Sequence, residues 1–389
     1  MVPARFSDVD AARARFGEHV DRLGPYLMKS DPLADAVVAR FARMKPGEGF
    51  RMLDAALRRG IEHVDGAPDE LRALFAEVDH VPFWVDWDTL DRGGRVLLRA
   101  GALGGMVLGA QSLVLGYASP AGNKPLVFSG RLREQAPRRL NETARFVHAV
   151  SKPGGMRRFA EGFLITVKVR IVHAQVRLLV KSTGRWKSEL WGEPVNQHDM
   201  AGTNLLFSAA VLDGLDKLGC RIEAKEREDY IQLWRYVGHV IGVQHDILPT
   251  SVVEAYRLAG IIEMTQGEPD DDSRALTRAL LDASIQAAKD DRERRRAERF
   301  SRFAYGLCRT LVGDELADKL GVPKTNMRHA IRGLKAMVAV AERARQNVPF
   351  AGTLAVFAGN HYWDRVVEIG LAGEQPEYRP PEKLAKSAA

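Results

Sequence analysis

From Ala100 to Ala118 the chain has no charged side chain and is dominated by Gly, Leu and Val. A run of that length has two destinations. It can cross a bilayer, which takes about 20 apolar residues in a helix, or it can lie in the middle of a helical protein with every face covered. Glycines at 101, 104, 105, 109 and 116, with a sixth at 122 in the loop that follows, lower its helix propensity, and Gln111 and Ser112 interrupt the apolar run. These features favour the second destination. The expectation is a central helix buried on all sides, whose small residues admit another helix or a flat cofactor, and no transmembrane segment.

The rest of the pattern is helical as well. Tracts at Ala34–Arg43, Glu48–Arg59 and Asp69–Val78 are separated by short turns, followed by further helices over Arg138–Val150, Gly162–Lys181, Asp199–Leu218 and Asp270–Asp291. Gly238 and Gly242 repeat at a spacing that suits close helix packing. Arg292 to Arg299 reads as a solvated face, and Arg328–Arg345 as another helix before a polar tail. No β-hairpin, βαβ unit or fixed-period repeat is evident. The fold class is therefore all-α, with one large helical domain.

Charge and cysteine content exclude several functions. The 57 Lys+Arg exceed the 50 Asp+Glu by seven, but the excess is spread along the chain without a basic stripe interleaved with aromatics, so no nucleic-acid partner is expected. Cys220 and Cys308 lie in no haem-attachment or metal-cluster signature, which fits a reducing compartment. The first ten residues have no apolar h-region and no twin arginine, and the expected location is the cytoplasm.

A di-iron bundle needs paired Glu-x-x-His motifs, and only Glu77–His80 has that spacing. The H-E-x-x-H, P-loop, G-x-S-x-G and dinucleotide signatures are absent. What remains is His173, alone in an apolar helical tract and bracketed on one face by Arg170 and Arg177 at i−3 and i+4. Such a histidine serves either as a satisfied core residue or as a metal ligand. Two arginines on a buried face require anionic partners, and a haem offers both an iron for the imidazole and propionates for the guanidinium groups. On another helical face, Arg139, Glu142, Thr143 and Phe146 stand at i, i+3, i+4 and i+7. Histidines 148, 198, 239 and 245 are lesser candidates.

The order of these pieces resembles the latex-clearing proteins and the wider MpaB-type oxygenases. The residues that carry the resemblance are Arg139-Leu-Asn-Glu-Thr143, Arg170-Ile-Val-His173-Ala-Gln-Val-Arg177, Gly192-Glu-Pro-Val-Asn-Gln-His-Asp-Met200 with Thr203 and Phe207, and Trp234-Arg-Tyr-Val-Gly238-His-Val-Ile-Gly242. The resemblance implies a globin-like helical core binding non-covalent haem b, with His173 as axial iron ligand and Arg170 and Arg177 in the haem environment. It places Arg139 and Thr143 near the distal side. It departs at Glu142, where the rubber-cleaving members carry lysine. The implied activity is dioxygen-dependent cleavage of an isoprenoid-type or other apolar unsaturated substrate lying partly against Phe146, and a small intracellular substrate is expected. A peroxidase- or peroxygenase-like enzyme using Glu142 as acid–base, and a non-catalytic haem carrier or gas sensor, are the competing readings. The expected organisation is an N-terminal helical extension over 1–80, the haem-binding oxygenase-like domain over 81–345, and a C-terminal segment over 346–389.

Overall fold

The computed structural model describes residues 2–129 and 136–371, with side chains at 129, 136–139 and 371 set aside. In chain order its principal helices are α1 (Val9–Phe16), α2 (Pro32–Phe41), α3 (Glu48–Arg59), α4 (Asp69–Val78), α5 (Trp87–Ala100), α6 (Ala102–Val107), α7 (Leu113–Tyr117), α8 (Ala136–Ser151), α9 (Glu161–Ser182), α10 (Gln197–Phe207), α11 (Ala209–Lys217), α12 (Ala224–Val240), α13 (Val252–Thr265), α14 (Asp271–Leu281), α15 (Asp291–Val312), α16 (Arg328–Asn347) and α17 (Ala351–Leu371). Among the described residues there is no strand, only an isolated bridge between Phe6 and Gln266. The all-α expectation holds.

Capping explains several boundaries. Asp31 precedes Pro32 and accepts from the Ala34 N–H at 3.3 Å, while Asn196 accepts from the Asp199 N–H at 2.9 Å. Each satisfies an N-terminal donor that helix geometry leaves orphaned. Glu223 and Glu226 form a reciprocal capping box at the start of α12.

The central helix is α5, which packs against α8, α12 and α17. Two adjacent glycines make this possible. A Cβ on Gly93 would collide with the Asp229 carbonyl of α12, and one on Gly94 with the Ser151 carbonyl of α8. One hydrophobic cluster runs from Ala34 in α2 through Trp234 in α12 to Trp363 in α17. Helices α2, α3 and α4 therefore share the core that surrounds α5, whereas Ala12 of α1 belongs to a separate cluster with Val20, Leu23 and Ile261.

The uncharged stretch does not form the single central helix its composition predicts. Gly101, at φ 50° and ψ −120°, ends α5 and turns the chain. A π turn over Leu108–Ser112 then separates α6 from α7, with the Leu113 N–H bonded to the Leu108 carbonyl. Among the described residues no single helix is long and apolar enough to cross a membrane. Trp87–Ala100 and Ala102–Tyr117 reach that length only together, and they meet at 85°. A second break, at Ser208 (φ −112°, ψ −86°), divides the expected Asp199–Leu218 helix into α10 and α11. The expected Asp270–Asp291 helix ends at Leu281, and Arg292–Arg299 belongs to α15.

Candidate functional site

Helix α9 carries the histidine and both arginines. Arg170 is 2% exposed, as is Asp31, and the two form a bidentate pair: Nε donates to Oδ2 at 2.6 Å and Nη2 to Oδ1 at 2.9 Å. Nη1 lies 2.7 Å from Glu77 Oε1 and donates to the Val240 carbonyl at 3.4 Å. Burial works against this guanidinium's charge, but Asp31 and Glu77 outweigh it and leave the pKa above its ordinary value. One turn along α2, Asp35 accepts from Arg177 Nε at 2.6 Å, and the Val195 carbonyl accepts from Nη1 at 3.1 Å.

The anionic partners of both arginines are thus carboxylates of the chain itself. All three nitrogens of Arg170 are taken by protein oxygens, and between the two guanidinium groups the buried Nη2 of Arg177 is the nitrogen without a hydrogen-bond partner. Gly242 makes the Arg170–Asp31 contact possible. It sits at φ +92°, and a Cβ there would press on Arg170 Nε and Asp31 Oδ2, each at 2.5 Å.

His173 points from the half-buried side of α9, where Val169, Val172 and Val176 are also half-buried. An imidazole on an apolar slope of this kind suits a flat, largely apolar group with a Lewis-acid centre. The residues present therefore fit a haem through His173, with α9 held in rotation by ion pairs behind it.

Helix α8 runs alongside α9, and Arg145 of α8 pairs with Glu161 of α9 at 2.6 Å. Glu142 and Thr143 are half-buried on α8. Arg139 lies in the first turn of α8, and its side chain falls outside the described residues. Phe146 is a core residue rather than an open wall. It is 8% exposed and meets the Phe207 and Trp234 rings at centroid distances of 6.3 and 6.0 Å.

The Gly192–Met200 segment is a clamp. Gln197 donates to the Ser30 and Gly242 carbonyls at 3.0 and 2.9 Å and accepts from the Gln244 N–H at 2.8 Å. Asp199 receives both terminal nitrogens of Arg5 at 2.8 Å. Burial pushes the Asp199 carboxyl up, yet Arg5 and His198 dominate and hold it well below the ordinary carboxylate range.

The lesser histidines divide by environment. His198, 3% exposed, is made less basic by burial despite Asp199, and its Nε2 is buried without a partner. His148 is likewise lowered by burial, shares a 2.9 Å hydrogen bond with Asn360 and stacks on Trp363. His239, also lowered by burial, stacks on Tyr236. His245 is exposed.

Sequence reasoning overlooked Asp31, Asp35 and Arg5. A signal for the first two was present, because carboxylates at i and i+4 on one helix match arginines at i and i+7 on another. Glu77, weighed only as half of a metal motif, is the second acidic partner of Arg170 after Asp31.

Residues 94–343 match the family described as ER-bound oxygenase mpaB/B'/Rubber oxygenase, catalytic domain. The Rubber oxygenase of Streptomyces sp. (strain K30) is 25% identical over 188 residues, which is 48% of this chain and 46% of that protein. The chain thus matches about half the length of that curated relative. The structure of latex clearing protein LCP in the closed state superposes with a TM-score of 0.69 at 22% identity, covering 90% of this chain and 92% of that one. The matched range spans α9, the clamp and α12, and the chain belongs to this oxygenase catalytic-domain family.

Proposed function

From that membership we propose that the chain is a haem b-dependent oxygenase, using dioxygen to cleave a double bond in an isoprenoid-type or comparable apolar substrate. The observation that carries the reading is the setting of His173, an imidazole on an apolar face of a helix held by the buried Arg170–Asp31 pair before it and the half-buried Arg177–Asp35 pair after it. His173, in its neutral form, would hold the iron. Arg170 and Arg177 act as positioning residues, since their bonds to Asp31 and Asp35 fix where α9 points. When bound, the haem supplies the activation of dioxygen.

Arg139 and Thr143 are proposed to donate hydrogen bonds to dioxygen and orient it. Glu142 differs in kind from a lysine at that position, because a carboxylate accepts a proton where an ammonium donates one. On that difference rests the proposal of a smaller isoprenoid-type substrate in place of rubber.

The test is spectroscopic first. Purified protein expressed with haem supplied should show a Soret band, and His173→Ala should lose it while keeping the far-UV circular dichroism of the parent. Absence of the band in the parent, or full haem loading in the variant, would overturn the assignment. Incubation with labelled dioxygen and a panel of isoprenoids should then place label in a carbonyl product. Turnover that requires peroxide and persists without dioxygen would instead identify a peroxygenase.

A further inference from the structure

Helices α16 and α17 meet at the turn Val348–Phe350, and both arms leave large apolar side chains in solvent. Phe350 is 86% exposed, Phe357 73%, Leu354 67%, Met337 66% and Val340 65%. Phe350 has φ +62°, a strained conformation for a bulky residue, and it stands outward at the apex. Leu354 and Phe357, at i and i+3, share one face of α17 beside Phe350, and exposed apolar surface of this kind marks an interaction site. Most of it lies beyond residue 343, where the family match ends.

Charge identifies the partner. Helix α16 carries five Lys/Arg against a single Glu. Arg328 is neutralised by Asp314 and Arg345 by Glu342. Arg332, Lys335 and Arg343 form no ion pair among the described residues, and Arg332 and Arg343 are exposed. A helix with an apolar strip and unpaired cations is built for the boundary of an anionic bilayer, where the apolar groups enter the acyl region and the cations meet lipid phosphates. A second copy of this chain suits it less well, because a two-fold interface brings the cationic strip of Arg332, Lys335 and Arg343 against the same cationic strip of the other copy. Residues 372–389 suit it less well too, with Tyr378 and Leu384 as their only large apolar side chains.

We propose that the Val348–Phe350 turn and its two helical arms dock this protein onto an anionic lipid surface, with Phe350, Leu354 and Phe357 inserted and Arg332 and Arg343 contacting headgroups. The inference does not depend on the haem chemistry.

Flotation of the full chain with vesicles tests it. The protein should float with phosphatidylcholine vesicles containing about 30% phosphatidylglycerol, float weakly with phosphatidylcholine alone, and be released as salt screens the attraction. Phe350→Ser with Phe357→Ser should weaken binding by about tenfold or more. Arg332→Glu with Arg343→Glu should reduce anionic-vesicle binding to the level seen on phosphatidylcholine. All four positions are exposed, so circular dichroism and melting temperature should match the parent. Failure to float with either vesicle, or undiminished binding by both variants, overturns the proposal. So does a concentration-dependent dimer that the Phe350→Ser, Phe357→Ser variant abolishes while the parent ignores vesicles.

Discussion

The Arg170–Asp31 contact is a buried ion pair in which each partner is needed chiefly because the other is present. Removing one side leaves a charge in a low-dielectric interior, which costs about 3–5 kcal/mol. Asp31→Ala leaves Arg170 with Glu77 as its remaining acidic partner and also removes the α2 cap, so a loss of about 3 kcal/mol, the lower end of that range, is expected in urea titration. Arg170→Met combined with Asp31→Leu should recover much of the loss, because two apolar side chains strand no buried charge at this contact. A double variant no more stable than Asp31→Ala would contradict this account. The buried histidines act on a different variable. Burial holds the imidazoles of His148, His198 and His239 below the ordinary 6.5. Below about pH 6.5 the unfolded chain takes up protons that the folded chain refuses, so their contribution is complete above that pH and is lost as pH falls through the lowered folded values. The urea midpoint should fall between about pH 7 and about pH 5, ahead of carboxylate titration. His148→Gln, which can keep a contact to Asn360, should shallow that fall, and an unchanged slope would argue that His148 does not titrate.

Helix α5 shows how small residues decide architecture at the level of elements. Its neighbours approach so closely at Gly93 and Gly94 that their carbonyls occupy the space a Cβ needs. Gly94→Ala must move backbone rather than a flexible side chain, and a loss of about 1–3 kcal/mol is expected by thermal or chemical denaturation. An unchanged melting temperature would mean that α8 shifts without cost. Helix identity was largely legible beforehand: Glu48–Arg59 and Asp69–Val78 appear with the expected bounds, and the Gly162–Lys181 tract appears as Glu161–Ser182. The breaks were not legible. Hydrophobic periodicity reports which face is buried, but the kink at Gly101, the π turn at Leu108–Ser112 and the break at Ser208 are local departures in backbone dihedrals that leave the apolar pattern unchanged.

At the scale of the whole molecule, the segment before residue 80 supplies core residues such as Leu53, Leu71 and Phe75 and the carboxylates that pair with α9. A chain beginning at residue 81 should lose cooperative unfolding and near-ultraviolet circular dichroism even though it retains the family-matched range. A sharp calorimetric transition in that fragment would show that the later helices fold alone. The amino-acid sequence by itself determined the helical class, most helix positions, and the placement of His173, Arg170 and Arg177 along one helix, because each follows from local propensity and a 3.6-residue period. Only the tertiary structure decided that Asp31, Glu77 and Asp35 satisfy those arginines, that Phe146 belongs to a ring cluster, and that Gly242 admits the Arg170–Asp31 pair. Those outcomes depend on which surfaces meet across 60 or more residues of intervening chain, and local periodicity carries no record of that.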